Sequence, residues 1–189
     1  AKRLEKSVIK EMVLLDMGRA RFEVRFHQEE ESLSGNMMRT IKADGDDRVE
    51  FMLSSNIGEE LRPLSKVASG GELSRIMLAM KTILARHASV ETIVFDEVDS
   101  GIGGATAEVV GEKLQSLAEY HQIICITHLP QIASKGKTHF LVKKRVRERR
   151  TQTIISELVS EERVNEIARL LGGKVITKNA IAHAREMLG

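Results

Sequence analysis

Residues 92–104 read TIVFDEVDSGIGG, and this stretch decides the fold. A short apolar run, Ile93-Val94-Phe95, ends in two adjacent carboxylates, Asp96 and Glu97; Asp99 follows, and then the chain turns glycine-rich. Neighbouring residues of a regular strand point to opposite faces, so both acids can serve one site only where the chain leaves the sheet. That carboxyl edge is where open α/β sheets bind ligands. Two roles suit such a pair. Asp96 is placed to hold Mg²⁺, directly or through water. Glu97 is placed to orient an attacking water or take its proton. The plain alternative is a solvated loop start, which the apolar strand before it disfavours.

Downstream comes a helix with Val110, Leu114 and Leu117 inward, then a second unalternating apolar strand, QIICIT (122–127). Upstream, from Ser69, the residues Leu73, Ile76, Met77, Met80, Ile83 and Leu84 share one helical face. Helix, strand, helix, strand with continuous apolar strands predicts a parallel βαβ core of buried-type strands. Earlier still, RFEVRF (21–26) alternates strictly, with Phe22, Val24 and Phe26 on one side, and Val49, Phe51 and Leu53 repeat the pattern after a loop-like stretch over 30–47. These predict an antiparallel piece. Residues 2–17 predict a helix with the stripe Leu4, Val8, Met12 and Leu15, which suits a coiled-coil end or an ordinary surface helix. After a short helix or turn at PQIASKG, FLVKKRV and TQTIISEL predict a hairpin with RERR (147–150) near its tip. Two helices follow, the first with Val164, Ile167, Ala168 and Leu171 inward and ending at Gly172-Gly173, the second over 177–188. The fold class is α/β: a parallel βαβ core with an antiparallel strand region and flanking helices.

Composition narrows the function. The 189 residues are 42% hydrophobic and 30% charged, enough to bury a core. Aromatics are 3%, with no Trp, which argues against base-stacking platforms. The net charge of +2 makes no global case for nucleic acid. The single Cys125 excludes a disulfide framework and a thiolate zinc site and suggests a reducing compartment. No apolar run approaches the length of a membrane span, and the N-terminus has neither a signal-peptide core nor an initiator Met. It reads as a cut within a longer protein.

Further motifs carry weaker signals. VASGGELSR (67–75) has the form of a capping box, Ser69 with Glu72. Two glycines in a first turn cost helix propensity of roughly 1 kcal/mol each. Ser69, Gly70 and Gly71 therefore read either as a plain cap or as a surface where a phosphate meets backbone N–H groups. ITHLPQ (126–131) places His128 just past the second strand, on the same edge as Asp96 and Glu97, where it could sense a terminal phosphate or orient water. KKRVRERR (143–150) is the one basic cluster; it suits either a solvated hairpin or a phosphate backbone. Gly136-Lys137-Thr138 imitates the end of a P-loop, but Gln131 stands where the motif needs glycine. Gly101-Ile102-Gly103-Gly104-Ala105-Thr106 lacks the last glycine of a dinucleotide fingerprint, and Val98 rules out a nucleophile elbow at Ser100. Cys125 lies in an apolar strand and reads as inert.

Taken together, ASGGELSR, TIVFDEVDSGIGG and ITHLPQIA, in this order and spacing, resemble the C-terminal half of an ATP-binding-cassette ATPase head: signature motif, Walker B with its glutamate, D-loop and switch histidine. Their wording, with EIARLLGG (166–173), is similar to the SMC-like ATPases of bacterial DNA double-strand-break repair. The resemblance runs from about Ala20 onward and implies the following. Residues 1–18 would be the returning end of a coiled coil, and 19–189 the C-terminal part of the head. The cofactors would be ATP and Mg²⁺. Ser69, Gly70 and Gly71 would contact the γ-phosphate of ATP held by a partner head, with Glu72 standing where many cassette ATPases carry Gln. Asp96 would support Mg²⁺, Glu97 would polarise water, His128 would be the switch, and Asp99 and Ser100 would cross the dimer interface. The partners would be the N-terminal half of the same protein, which brings the P-loop, a second head in a homodimer, and DNA. There would be no membrane, and the setting would be cytoplasmic and nucleoid-associated. This chain alone would not hydrolyse ATP. The rivals are a transporter-type ATPase fragment and a non-catalytic dimerisation or DNA-binding module; the retained Asp96–Glu97 pair argues against the second.

Overall fold

The computed structural model describes residues 1–28, 47–66, 69–85, 90–147, 150–173 and 175–189; the loop expected over 30–47 lies outside them but for Asp47. They form two compact units, Ala1–Leu84 and Ala85–Gly189.

The first unit opens with helix α1 (Lys2–Leu14). Its predicted stripe faces this unit's own core: Val8, Met12 and Leu15 are buried. Strands β1 (Arg21–Gln28) and β2 (Asp47–Ser54) pair antiparallel, joined by the short β3 (Arg62–Pro63). The register sets Phe22 against Leu53, Val24 against Phe51 and Phe26 against Val49, as the alternation requires. Phe22 and Phe51 stack diagonally, ring centroids 5.6 Å apart. Burial fades along the ladder, so Phe26 and Val49 are half exposed. The Glu5 carboxylate of α1 accepts from Val24 N–H at 2.9 Å, tying helix to strand. A 3₁₀ turn (Leu64–Lys66) precedes helix α2 (Gly70–Leu84). The buried face of α2 differs from the predicted one. Gly71, Arg75, Ile76, Leu78 and Ala79 are buried, whereas Met77 and Leu84 are exposed. The helix is apolar nearly all round through IMLAM, so periodicity alone underdetermines which side packs.

The second unit holds the predicted crossover. Strand β4 (Thr92–Phe95), helix α3 (Gly104–Leu117) and strand β5 (Gln122–Cys125) form a parallel pair in which Val94 sits beside Ile124 and Phe95 beside Cys125. Burial is one-sided, which departs from the reading of these apolar runs as buried strands. Phe95 is 3% exposed, while Val94, Ile124 and Ile126 are 60%, 47% and 56% exposed. Helix α4 (Pro130–Ala133) packs on α3 at Gly111, where a Cβ would come within 3.0 Å of the Gln131 carbonyl oxygen. Arg163 then gathers the carbonyls of Ser134, Gly136 and Lys137 beyond the end of α4. The P-loop look-alike at 136–138 is thus part of a helix-ending loop capped by a cation. Strands β6 (His139–Arg147) and β7 (Arg150–Leu158) form the predicted hairpin. Helices α5 (Ser160–Gly172) and α6 (Lys178–Leu188) close the unit around Val164, Ile167, Ala168 and Ala184. No described helix is long and apolar enough to cross a membrane.

Candidate functional site

The candidate residues named from the sequence fall in both units, and each group is described within its own unit.

In the first unit, Ser69 stands immediately before α2. Its hydroxyl accepts weakly from Glu72 N–H at 3.4 Å, and its carbonyl accepts from Leu73 N–H at 3.0 Å. The cap is therefore half of a capping box. The Glu72 carboxylate instead accepts a 2.6 Å bond from the Ser55 hydroxyl, just past β2. That bond ties the α2 N-terminus to the sheet and leaves Ser69 and Gly70 exposed. One turn on, Arg75 is 8% exposed. Burial holds its guanidinium below its ordinary range, against the pull of Glu72 and Asp16. A helix N-terminus with exposed small residues favours anions. Ser55 and Arg75 escaped the sequence reading, because only the fold brings them to this helix end.

In the second unit, the turn after β4 is built from Asp96 to Ser100. Asp96 and Glu97 are exposed. Glu97 sits at φ +58°, a left-handed conformation costing roughly 1–2 kcal/mol outside glycine. The twist lets Val98 and Asp99 drop into the interior, to 0% and 4% exposure, while Ser100 N–H closes the turn on the Glu97 carbonyl at 3.0 Å. Gly101, at φ +74°, continues the turn where a side chain would be strained. The exit of β5 is stitched alongside: Ile126 N–H donates to the Phe95 carbonyl at 2.9 Å. Asp99 Oδ2 accepts from the Thr127 hydroxyl at 2.6 Å and from His128 N–H at 2.9 Å. It also lies 3.0 Å from His128 Nδ1. The Thr127 hydroxyl accepts in turn from Leu129 N–H at 3.0 Å.

Asp96, Glu97, Asp99 and His128 thus gather at the carboxyl edge of the parallel pair. The Asp99 carboxylate is committed within its own lobe, and of the expected interface pair Ser100 is exposed and Asp99 buried. Thr127 was missed; the signal was a hydroxyl residue at the strand end beside the histidine. Cys125 is held inert: burial, then the charges of Asp99 and Asp96, push its thiol up to about 12.

Among the described residues no group of three or more His, Cys, Asp or Glu could hold a metal ion.

No protein-family model matches the chain. It is similar over its whole length to the DNA repair protein RecN of Halalkalibacterium halodurans, 42% identical over 188 residues. It is 44% identical over 188 residues to the RecN of Haemophilus influenzae, and 51% identical over 144 residues to that of Treponema pallidum. It spans a quarter to a third of the length of these curated relatives: 32% of the first and 25% of the Treponema protein. Among solved structures it resembles the Smc head domain with a coiled coil from Pyrococcus yayanosii, with a TM-score of 0.58 and 16% identity over 92% of this chain and 29% of that one. The Smc head from Pyrococcus furiosus gives a TM-score of 0.52 and 15% identity over 90% of this chain and 38% of that one. At these identities the likeness is one of fold: mixed α/β, as in SMC heads.

Proposed function

The chain belongs to the RecN family, as the C-terminal part of such a protein, and from that premise we propose that it is half of an SMC-like ATPase head. One observation carries the reading. The carboxyl edge of the parallel pair presents two exposed acids, Asp96 and Glu97, beside a histidine tethered to a buried carboxylate.

In this reading the N-terminal part of the intact protein brings the P-loop, and two heads sandwich ATP. Ser69 and the backbone N–H groups at Gly70 and Gly71 bind the γ-phosphate of the nucleotide held by the partner head. Asp96 would hold Mg²⁺, directly or through water, and the bound ion would supply charge neutralisation of the phosphates. Glu97 orients the attacking water and takes its proton. His128, 74% exposed, faces the terminal phosphate. Ser100, on the exposed side of the turn, reaches toward the second head. Heads that close on ATP and part after hydrolysis would work as a clamp on DNA. The exposed Lys143, Lys144 and Arg145 of the hairpin are the candidate phosphate-backbone contacts.

The test is reconstitution. This chain alone should not hydrolyse ATP; mixed with the N-terminal part it should. Glu97→Gln should lower turnover by about 10²–10⁴-fold while ATP-bound dimers accumulate. Unchanged turnover in Glu97→Gln would remove Glu97 from the chemistry.

A further inference from the structure

We propose that Asp99 is the positioning residue of His128. It holds the imidazole as an Nδ1–H donor and so turns Nε2 outward, toward the phosphate end of the site.

The exposures differ sharply: the Asp99 side chain is 5% exposed and the His128 side chain 74%. A buried carboxylate survives only when its lone pairs are used. Oδ2 of Asp99 accepts from the Thr127 hydroxyl at 2.6 Å and from His128 N–H at 2.9 Å, and it lies 3.0 Å from His128 Nδ1. The oxygen that holds the backbone of His128 is thus also the one its ring nitrogen meets. The Thr127 hydroxyl, anchored to the same oxygen, also accepts from Leu129 N–H, so the backbone on either side of His128 is held as well. An anionic acceptor at Nδ1 demands a proton there. In the neutral ring Nε2 is then the unprotonated nitrogen. A carboxylate that served only to staple the loop would need the Thr127 and backbone bonds, and nothing at Nδ1.

Nε2 as the outward atom is a statement about this chain alone; its meeting a phosphate rests on the ATPase reading. The experiment keeps the two apart. Nitrogen-15 spectra of the histidine rings are recorded on the full chain at about pH 8, where an ordinary imidazole is neutral. His128 is assigned by the signal lost in His128→Gln. The expected pattern is a protonated Nδ1 and an unprotonated Nε2, retained in Thr127→Val and reversed in Asp99→Ala. A wild-type ring protonated on Nε2 overturns the proposal, and so does a pattern that Asp99→Ala leaves unchanged. If Asp99→Ala does not fold, the wild-type spectrum still decides. In the reconstituted head, Asp99→Ala should lower kcat by about tenfold with KM nearly unchanged. It should add no further loss on a His128→Ala background. A head without ATPase activity would sink the nucleotide reading and leave the ring assignment to the spectrum.

Discussion

Two regions of the second unit contrast. At the carboxyl edge of β4 and β5 the polar groups are interlocked: Asp99 accepts from Thr127 and His128 and lies 3.0 Å from the His128 ring, and Thr127 both donates and accepts. The β6–β7 hairpin is the opposite. One of its faces carries Phe140, Val142, Val146 and Ile155, which are 57%, 59%, 72% and 65% exposed. The edge is finished within this chain, and its geometry is set before anything binds. The hairpin presents apolar side chains in a register that would suit a core, yet they stay exposed.

The sharpest way to break this contrast is to charge the hairpin. Val142 pairs with Ile155 across the ladder. The substitution asks whether the N-terminal part of the intact protein covers this face. Val142→Lys with Ile155→Lys should leave the stability of the chain within about 0.5 kcal/mol, as surface changes do. Association with the N-terminal part should weaken by at least about tenfold, measured by titration calorimetry. A chain that loses stability instead would mean that the face is part of its own core.

The same contrast explains what could be read in advance. Periodicity and punctuation gave β4, α3, β5 and the hairpin, because apolar spacing and glycine act locally. They also located Asp96, Glu97 and His128 at one edge, since strand ends in a parallel pair must lie together. Hydrophobicity says that a residue prefers burial and says nothing about what buries it. Val94, Ile124 and Ile126 were therefore expected inside, yet they lie exposed. The partner of Asp99 is 28 residues away at Thr127, beyond any local pattern. Arg163 and Ser55 act in the same way, through contacts that only the fold creates.

A middle-sized effect tests the support beneath the edge. Helix α4 follows directly on His128 and leans on Gly111, where an added Cβ would meet the Gln131 carbonyl at 3.0 Å and Lys135 Cγ at 3.1 Å. Gly111→Ala sets about 1 kcal/mol of helix propensity against overpacking of about 1–3 kcal/mol, which leaves about 0–2 kcal/mol of net destabilisation. Gly111→Val adds bulk and loses propensity. It should destabilise by about 2 kcal/mol or more in denaturant melts. An unchanged midpoint would show that α4 yields without cost, and that the edge owes its geometry to Asp99 alone.

The smallest effect lies where the hairpin meets the rest of its unit. His139 opens β6, and its Nδ1 is buried without a hydrogen-bond partner. Burial and the Arg163 charge hold its imidazole below the ordinary value of 6.5, and Glu166 only partly opposes them. The folded chain therefore keeps this ring neutral over a range in which the unfolded chain already binds a proton. Stability rises with pH wherever the unfolded state binds more protons. This ring's contribution is thus fully present above about pH 6.5, and it falls as pH drops from there through the lowered folded value. Thermal melts of the wild type and His139→Gln should run parallel near pH 7.5 and diverge near pH 5.5, the wild type losing more. Parallel curves across the whole range would mean that the hairpin base opens enough for the ring to take its proton in place. The hairpin would then be loosely held at its root as well as uncovered on its face.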